Sequence, residues 1–193
     1  FTSNRSDIGL FKNLLNVFND KNRVLLINFG DPSNIKELNN IKNISIKSIF
    51  QTPYSNSLVD ITINSQKKIL RLLLKFNPDI NFIPGDRIEM ISPAICCHLL
   101  GLKIAHLHGG EVTFGSKDDT TRHAISKLSH LHYVSNLIYK KRLIQMGEDK
   151  NNIINCGSIS ICQLNKGKFI SKQLLEYEYN FKFKNFISLI SYH

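Results

Sequence analysis

The stretch HLHGGEVTFGSKDDTTRHAISK, His106 to Lys127, holds His106, His108, Glu111, Asp118, Asp119, Arg122 and His123, with Gly109-Gly110 near its start. Core segments bury apolar side chains and do not gather titratable groups at this density. Two shorter clusters have the same character: SNRSD (Ser3 to Asp7) and GDRIE (Gly85 to Glu89). Arg5, Arg87 and Arg122 supply guanidinium groups, whose planar fork matches the oxygens of phosphate. Asp86, Glu111 and Asp118 supply carboxyl groups that move protons when burial or neighbouring charge brings their pKa towards neutrality. Gly109-Gly110 lets backbone approach a ligand closely. Together these point to a phosphorylated substrate and acid/base chemistry.

Each feature also has a purely structural reading. Asp86-Arg87 reads as a capping residue and an ion pair, Gly109-Gly110 as a turn, and Asp118 or Asp119 as the cap of the helix that contains Arg122. His98, His123 and His132 read as helix or core polar residues rather than ligands. Strand alternation puts His106 and His108 on one face, but neither Glu111 nor any other group gives a third ligand in fixed register, so no metal is expected.

Periodicity shows which elements carry these groups. Apolar runs of strand length occur at RVLLINF (Arg23 to Phe29), INFIPG (Ile80 to Gly85) and KIAHLH (Lys103 to His108), with shorter ones at HYVS and NIINCG. Between them the spacing predicts helices over 7–19, 58–76, 89–100, 120–129 and 136–146, the last stopped by Gly147. The helix over 89–100 is apolar nearly all round and is expected to be buried. Residues 30–57 are the least legible part: the Asn-rich SNIKELNNIKNISIKSI fits a short helix, a strand or a loop.

Strand and helix in alternation with short links make an α/β fold, a Rossmann-like parallel sheet with helices on both faces. In such sheets ligands bind beyond the carboxyl ends of the strands. SNRSD follows what reads as the tail of a first strand, GDRIE follows INFIP, and HLHGGE closes KIA, so all three clusters are expected on one rim, facing a cleft.

Composition excludes several classes. With 42% hydrophobic and 21% charged residues the 193-residue chain can bury a core and is not of the disordered type. The formal charge of +10 favours anionic partners, but the lysines and arginines are scattered and form no compact arm, so no nucleic-acid partner is expected. No run approaches the length of a membrane span. Cys96, Cys97, Cys156 and Cys162 form no CxxC pair; with Cys96-Cys97 inside AICCHLLGL, they read as reduced thiols in a cytoplasmic protein. The opening at Phe1 without Met and the close on FISLISYH read as cut ends, a fragment of a longer chain.

At GDRIEM, AHLHGGEVTFGSKDDTTRHAISKLSHLHYVSN and IQMGEDKNNIINCGSISI the sequence resembles the hydrolysing UDP-N-acetylglucosamine 2-epimerases, which serve sialic- and legionaminic-type acid synthesis. SNRSDIGLFKNLL resembles the family's opening loop and first helix, and FISLISYH the entry strand of its second domain. The resemblance implies the first half of a glycosyltransferase-B-like two-domain fold, divided here as 1–162 for the first domain, 163–185 for a linker with a helix, and 186–193 for the start of the second, UDP-binding domain. It implies loss of UDP from a UDP-sugar by elimination, hydration of the resulting glycal, and release of the 2-epimer, N-acetylmannosamine. No nicotinamide or other cofactor is called for, and the full-length protein is expected to be a homo-oligomer.

Residue by residue, Asp86 matches the catalytic aspartate of the GDR motif, Arg87 a phosphate-binding arginine, and Arg5, placed with the substrate-binding residues, the arginine of the first loop. Asp118 and Arg122 match the acidic residue and arginine of the RHA helix, and His193 the histidine opening the second domain. His108 departs: some members have glutamate there, so the proton-transfer role falls either to His108 or to Glu111, or the sugar differs. A UDP-2,4-diacetamido sugar is the alternative substrate, and an inactive truncated sugar-nucleotide-binding domain the alternative to an enzyme.

Overall fold

The structure is a computed structural model that describes residues 1–3, 8–9, 11, 14–15, 17–18, 22–31, 33, 35, 38, 44–49, 58–159, 161, 169–184, 187–188 and 190, with backbone only for 58–61. Arg5 and His193, the cap of the first helix and Cys162 lie outside the described residues.

Aliphatic and β-branched runs make the strands. β1 (Val24–Asn28) pairs in parallel with β2 (Ile44–Ser48). β3 (Asn81–Pro84), β4 (Ile104–Leu107), β5 (Leu131–Val134) and β6 (Ile153–Asn155) form a parallel sheet in that order. Residues 1–3 join the two sheets. The Thr2 amide donates to Ile27 O (3.0 Å), the Phe29 amide donates to Thr2 O (2.8 Å), and the Phe1 amine donates to Phe82 O (3.0 Å). An extended segment therefore stands between β1 and β3, where the sequence placed the tail of a first strand.

Parallel pairing demands crossovers, and the helices supply them. α1 (Leu58–Phe76) buries Ser65, Ile69 and Leu73, one every fourth residue, and ends on Asn77 in a left-handed conformation (φ 49°). α2 (Ile91–Leu99) packs on α1, with the Ser92 hydroxyl donating to Thr62 O (2.9 Å). α3 is Asp118–Leu128, α4 is Leu137–Gln145 and α5 is Lys172–Glu178. Asn136 caps α4, its side-chain oxygen accepting from the amides of Ile138 and Tyr139, and Gly147 (φ 90°) follows its end as the sequence predicts.

Apolar clusters lie on both sides of the sheet. Ile27, Ile83 and Ile104 pack with Ile69, Leu73, Met90, Ala94, Cys97 and Ile125 from the helical layer. Leu26 and Leu107, one residue out of phase, pack instead with Ile8, Phe11 and Leu15. This is the doubly covered α/β layer structure expected from the sequence.

Two details differ. The helix over 89–100 begins only at Ile91, after a 3-10 turn at Ile88–Met90, and its end is not buried, since Leu99 is 72% exposed. Pro93 explains the first: within the first turn its missing N–H costs no intrahelical bond. β2 falls in the stretch the sequence left unassigned. Its Ile44 and Ile46 alternate with the exposed Ser45 and Lys47, a one-sided edge-strand pattern too short to stand out among asparagines.

A cavity of about 360 Å3, lined by Phe11, Phe18, Val24, Phe76 and Phe82 among others, opens at the amino ends of β1 and β3. It lies away from the polar rim, which gathers at the carboxyl ends.

Candidate active site

Three strand ends build the site. β3 runs out through Gly85 (φ 64°) to Asp86 and Arg87, β4 through His108 (φ 62°) and Gly110 (φ 75°) to Glu111, and β5 into Ser135. The Gly85 amide donates to Leu107 O and the His108 amide to Tyr133 O, both at 2.9 Å. Pairing thus continues to the last residue before each functional side chain, which fixes Asp86 and His108 on neighbouring strand ends.

The loop after β4 is held closed by absent side chains. A Cβ on Gly109 would sit 2.9 Å from His106 Nδ1, and one on Gly110 2.6 Å from Tyr139 O. The Gly110 carbonyl accepts from the Arg142 guanidinium, which ties the loop to α4. Gly109-Gly110 is therefore a packed turn, and its role is to seat the loop against α3 and α4.

Arg122 is the centre of charge. Its side chain is only 6% exposed and pairs with Asp86 and, at 3.4 Å, with Asp119 Oδ1. A guanidinium this buried needs such partners, since an unpaired one would carry a large desolvation cost. Its Nε has no hydrogen-bond partner among the described residues. Asp119 also accepts the Thr113 amide on both carboxylate oxygens, at 3.0 and 3.1 Å.

The expectation that Asp118 or Asp119 caps α3 is corrected here: the cap position is Lys117, without a side-chain cap bond, and the Ser116 hydroxyl accepts the Asp118 amide (3.1 Å). Asp119 points instead at the preceding loop and at Arg122, while Asp118 is exposed. Both still lie in the first turn, where negative charge suits the helix dipole. The structure thus brings Asp119 rather than Asp118 onto the arginine.

Arg87 stands apart, its side chain 51% exposed and 4.0 Å from Glu89 Oε1, which leaves it a loosely held cation at the rim.

The histidines divide by role. His106 is fully buried; its Nε2 lies 2.8 Å from Gly85 O and its Nδ1 3.0 Å from Ser126 Oγ. A carbonyl can only accept, so Nε2 carries the proton and Nδ1 is left as an acceptor facing the Ser126 hydroxyl, whose oxygen also lies 3.1 Å from Arg122 O. Burial above all pushes its pKa down to about 3, against the bond to Gly85 and with help from the charges of His132, Arg122 and His108. His106 is a neutral strut that pins the β3 end, and hence Asp86, to α3. His132 is buried as expected, with Nε2 3.1 Å from Glu148 Oε2. His123 Nδ1 is buried without a partner among the described residues, and burial lowers its pKa.

His108 differs from all of these. Its Nδ1 lies 3.0 Å from Glu111 Oε1, and the same oxygen accepts the Ser135 hydroxyl at 2.7 Å. Burial raises the Glu111 pKa, but the hydrogen bonds from His108 and Ser135 and the positive charge of His108 and Arg122 outweigh it and hold the carboxyl below its usual value. Glu111 is therefore an anion at neutral pH. Ser135 and Asp119 escaped sequence reasoning: a serine after a short strand and the second of two aspartates carry no local signal of their partners. No group of three metal-ligating side chains is present among the described residues.

The arrangement pairs a buried arginine with two carboxylates beside an imidazole backed by a third, with a half-exposed arginine at the edge. It can hold an anion and move protons next to it.

Residues 34–193 match the family model described as UDP-N-acetylglucosamine 2-epimerase. Over 116 residues the chain is 46% identical to the GDP/UDP-N,N'-diacetylbacillosamine 2-epimerase (hydrolyzing) of Campylobacter jejuni, covering 60% of this chain and 30% of that protein. It is 39% identical over 116 residues to the UDP-N,N'-diacetylbacillosamine 2-epimerase (hydrolyzing) of Legionella pneumophila, with the same coverage. With the UDP-N-acetylglucosamine 2-epimerase of Neisseria meningitidis it is 36% identical over 118 residues, 61% of this chain and 31% of that one. The aligned stretch thus spans about a third of each curated relative. A solved structure of UDP-GlcNAc 2-epimerase from Neisseria meningitidis bound to UDP-GlcNAc superposes with TM-score 0.72 at 16% identity, over 86% of this chain and 48% of that one. The shared architecture is the Rossmann-like half of a glycosyltransferase-B-like fold.

Proposed function

Because the chain belongs to the UDP-N-acetylglucosamine 2-epimerase family, we propose that it is the catalytic-rim domain of a hydrolysing 2-epimerase. The enzyme takes a UDP-activated 2-acetamido sugar and water to UDP and the free 2-epimer. The observation that carries this reading is the meeting of Asp86 with the buried Arg122 beside the His108–Glu111 pair, proton-moving groups and cations on one rim. Asp86 takes the proton from carbon 2 while the bond from carbon 1 to the diphosphate oxygen breaks and its electron pair leaves with UDP. Arg87 stabilises the charge developing on that oxygen, a contribution of a few kcal/mol for a preorganised contact. Water then adds across the resulting double bond, oxygen to carbon 1 and hydrogen to carbon 2. The net change is hydrolysis with inversion at carbon 2, without oxidation or reduction.

For the sugar, 46% and 39% identity to relatives named for N,N'-diacetylbacillosamine, against 36% to one named for N-acetylglucosamine, favours the 2,4-diacetamido compound over the UDP-N-acetylglucosamine to N-acetylmannosamine reaction. A cytoplasmic compartment, where nucleotide sugars are made, is part of the proposal; the buried free thiols Cys96 and Cys97 support it.

The test is to incubate the full-length protein with each UDP-sugar in heavy water and follow products by proton NMR. UDP with a 2-epimer deuterated at carbon 2 is expected. No UDP from either substrate would return the chain to a binding domain without turnover. In the same assay Asp86→Asn is expected to abolish UDP release yet leave folding intact, because Arg122 keeps Asp119 as a partner. Wild-type turnover in that variant would remove Asp86 from the mechanism.

A further inference from the structure

The rim groups described above are polar, and polar groups alone do not explain a choice between the two candidate sugars. The two differ in apolar surface. The 2,4-diacetamido compound of the bacillosamine type carries an acetylated nitrogen at carbon 4 where N-acetylglucosamine has a hydroxyl. It also carries a methyl at carbon 6 where N-acetylglucosamine has a hydroxymethyl. A carboxylate or guanidinium gains nothing from a methyl group, so a preference for the more apolar sugar needs an apolar contact.

Each strand end that delivers a polar group is followed within a few residues by an exposed apolar one. Ile88 follows Asp86 and Arg87, Phe114 follows Glu111, and Leu137 and Ile138 follow Ser135. Among these Phe114 is the aromatic one and the most exposed, at 98%. A single exposed apolar side chain is ordinary on a protein surface, but Phe114 is presented by a fixed turn. The Ser116 amide donates to Thr113 O (3.0 Å), and Gly115 takes φ 82° at the third position, as a type II turn requires. Both ends of the turn are tied to the start of α3: Asp119 accepts the Thr113 amide, and the Ser116 hydroxyl accepts the Asp118 amide. Asp119 also pairs with Arg122, whose other partner is Asp86. The turn that bears Phe114 is thus one hydrogen bond from the carboxylates gathered on Arg122. It also lies only three residues from Glu111, a span of at most about 11 Å. A ring presented on so constrained a backbone loses less freedom on meeting a ligand than one on a loose loop.

Resting on the epimerase reading above, we infer that Phe114 is a specificity-determining residue, its ring face packing on the 4-acetamido methyl and the carbon 6 methyl of a 2,4-diacetamido sugar. A flat ring covers neighbouring methyl groups and C–H edges and takes that side of the sugar out of water. The contact is made with the sugar and away from the breaking bond, so it acts on substrate affinity rather than on the chemical step.

The test is steady-state kinetics of the full-length enzyme on both UDP-sugars, with product inhibition by UDP measured alongside, in the wild type, Phe114→Ala and Phe114→Tyr. The wild type is expected to show the higher kcat/KM with the 2,4-diacetamido sugar. Phe114→Ala is expected to raise KM for that sugar on the order of 10–100-fold with kcat little changed. Phe114→Tyr keeps the ring face and is expected to stay near the wild-type value. The substitutions fall at an exposed turn position whose Thr113 and Gly115 are kept, so the turn is retained. The inhibition constant for UDP is expected to be the same in all three proteins, a value that damage to the rim would move.

A wild-type preference for UDP-N-acetylglucosamine would overturn the assignment, and so would an unchanged KM for the 2,4-diacetamido sugar in Phe114→Ala. Equal weakening of both sugars and of UDP would also overturn it, since the ring would then be packing on protein rather than on substrate. Failure of the wild-type enzyme to release UDP from either sugar nucleotide strikes the underlying reading instead, and is seen before any substitution is made.

Discussion

Gly85 and Gly110 both adopt positive φ at the rim, yet they answer to different constraints. A Cβ on Gly85 meets nothing within 4 Å, whereas one on Gly110 meets Tyr139 O at 2.6 Å and Leu143 Cγ at 3.0 Å. Gly85→Ala is expected to cost only the backbone strain, about 1 kcal/mol. Gly110→Ala adds a clash with helix backbone that no side-chain motion relieves, and is expected to cost about 2–4 kcal/mol. Urea unfolding of the two variants checks this; equal losses would show that the loop yields rather than the helix. From sequence, Gly110 reads as part of a turn and Gly85 as the close of an apolar run, and the contact of Gly110 with α4 is legible in neither. The same limit applies to the charged groups. Asp86, Arg122, His108 and Glu111 stood out by type and by position after apolar runs, but their pairing did not. That Asp119 rather than Asp118 meets Arg122 depends on which side of a helix turn faces the rim, and one residue of phase decides it.

Between elements, His106 is the clearest tie, joining β4 to the end of β3 through Gly85 O and to α3 through Ser126. Folded, this ring refuses a proton until about pH 3; unfolded, it takes one near its ordinary value of 6.5. Between those values the unfolded state binds more protons, so stability is fully present above about pH 6.5 and falls as pH drops, by about 1.4 kcal/mol per pH unit while only the unfolded ring is protonated. His132 and His123, also lowered mainly by burial, slope the same way. Unfolding free energy measured at pH 7.5 and pH 5 is expected to fall in the wild type and to fall less in His106→Gln; identical slopes would show that other groups set the pH response. Element order was legible because strand and helix periods alternate cleanly from Leu58 onward, and capping residues such as Asn136 mark the boundaries. β2 was not, because an edge strand with one covered face shows only two isoleucines in alternation, and its parallel partner lies about 20 residues away in sequence, beyond any local pattern.

For the whole molecule, the positive formal charge of +10 proves compatible with a nucleotide-sugar reading, since a diphosphate needs local cations such as Arg87 rather than a basic arm. The rim described here is expected to form one wall of a cleft. Among the described residues it offers one half-exposed arginine and a buried arginine already committed to two carboxylates. The aligned relatives are about three times as long as the matched stretch, and in two-domain folds of this architecture the site lies between domains. The 193-residue chain alone is therefore expected to release no UDP, while the full-length protein turns over under the same conditions. Holding an activated sugar with one wall forfeits most of the orientation that converts a slow encounter into a fast unimolecular step, an effect worth about 7–11 kcal/mol of barrier when complete. A coupled UDP-release assay on the two proteins at equal concentration decides it. Turnover by the short chain at even a hundredth of the full-length rate would mean that Asp86, His108 and Arg87 suffice for both binding and chemistry, and that the partner wall tunes affinity rather than building the site.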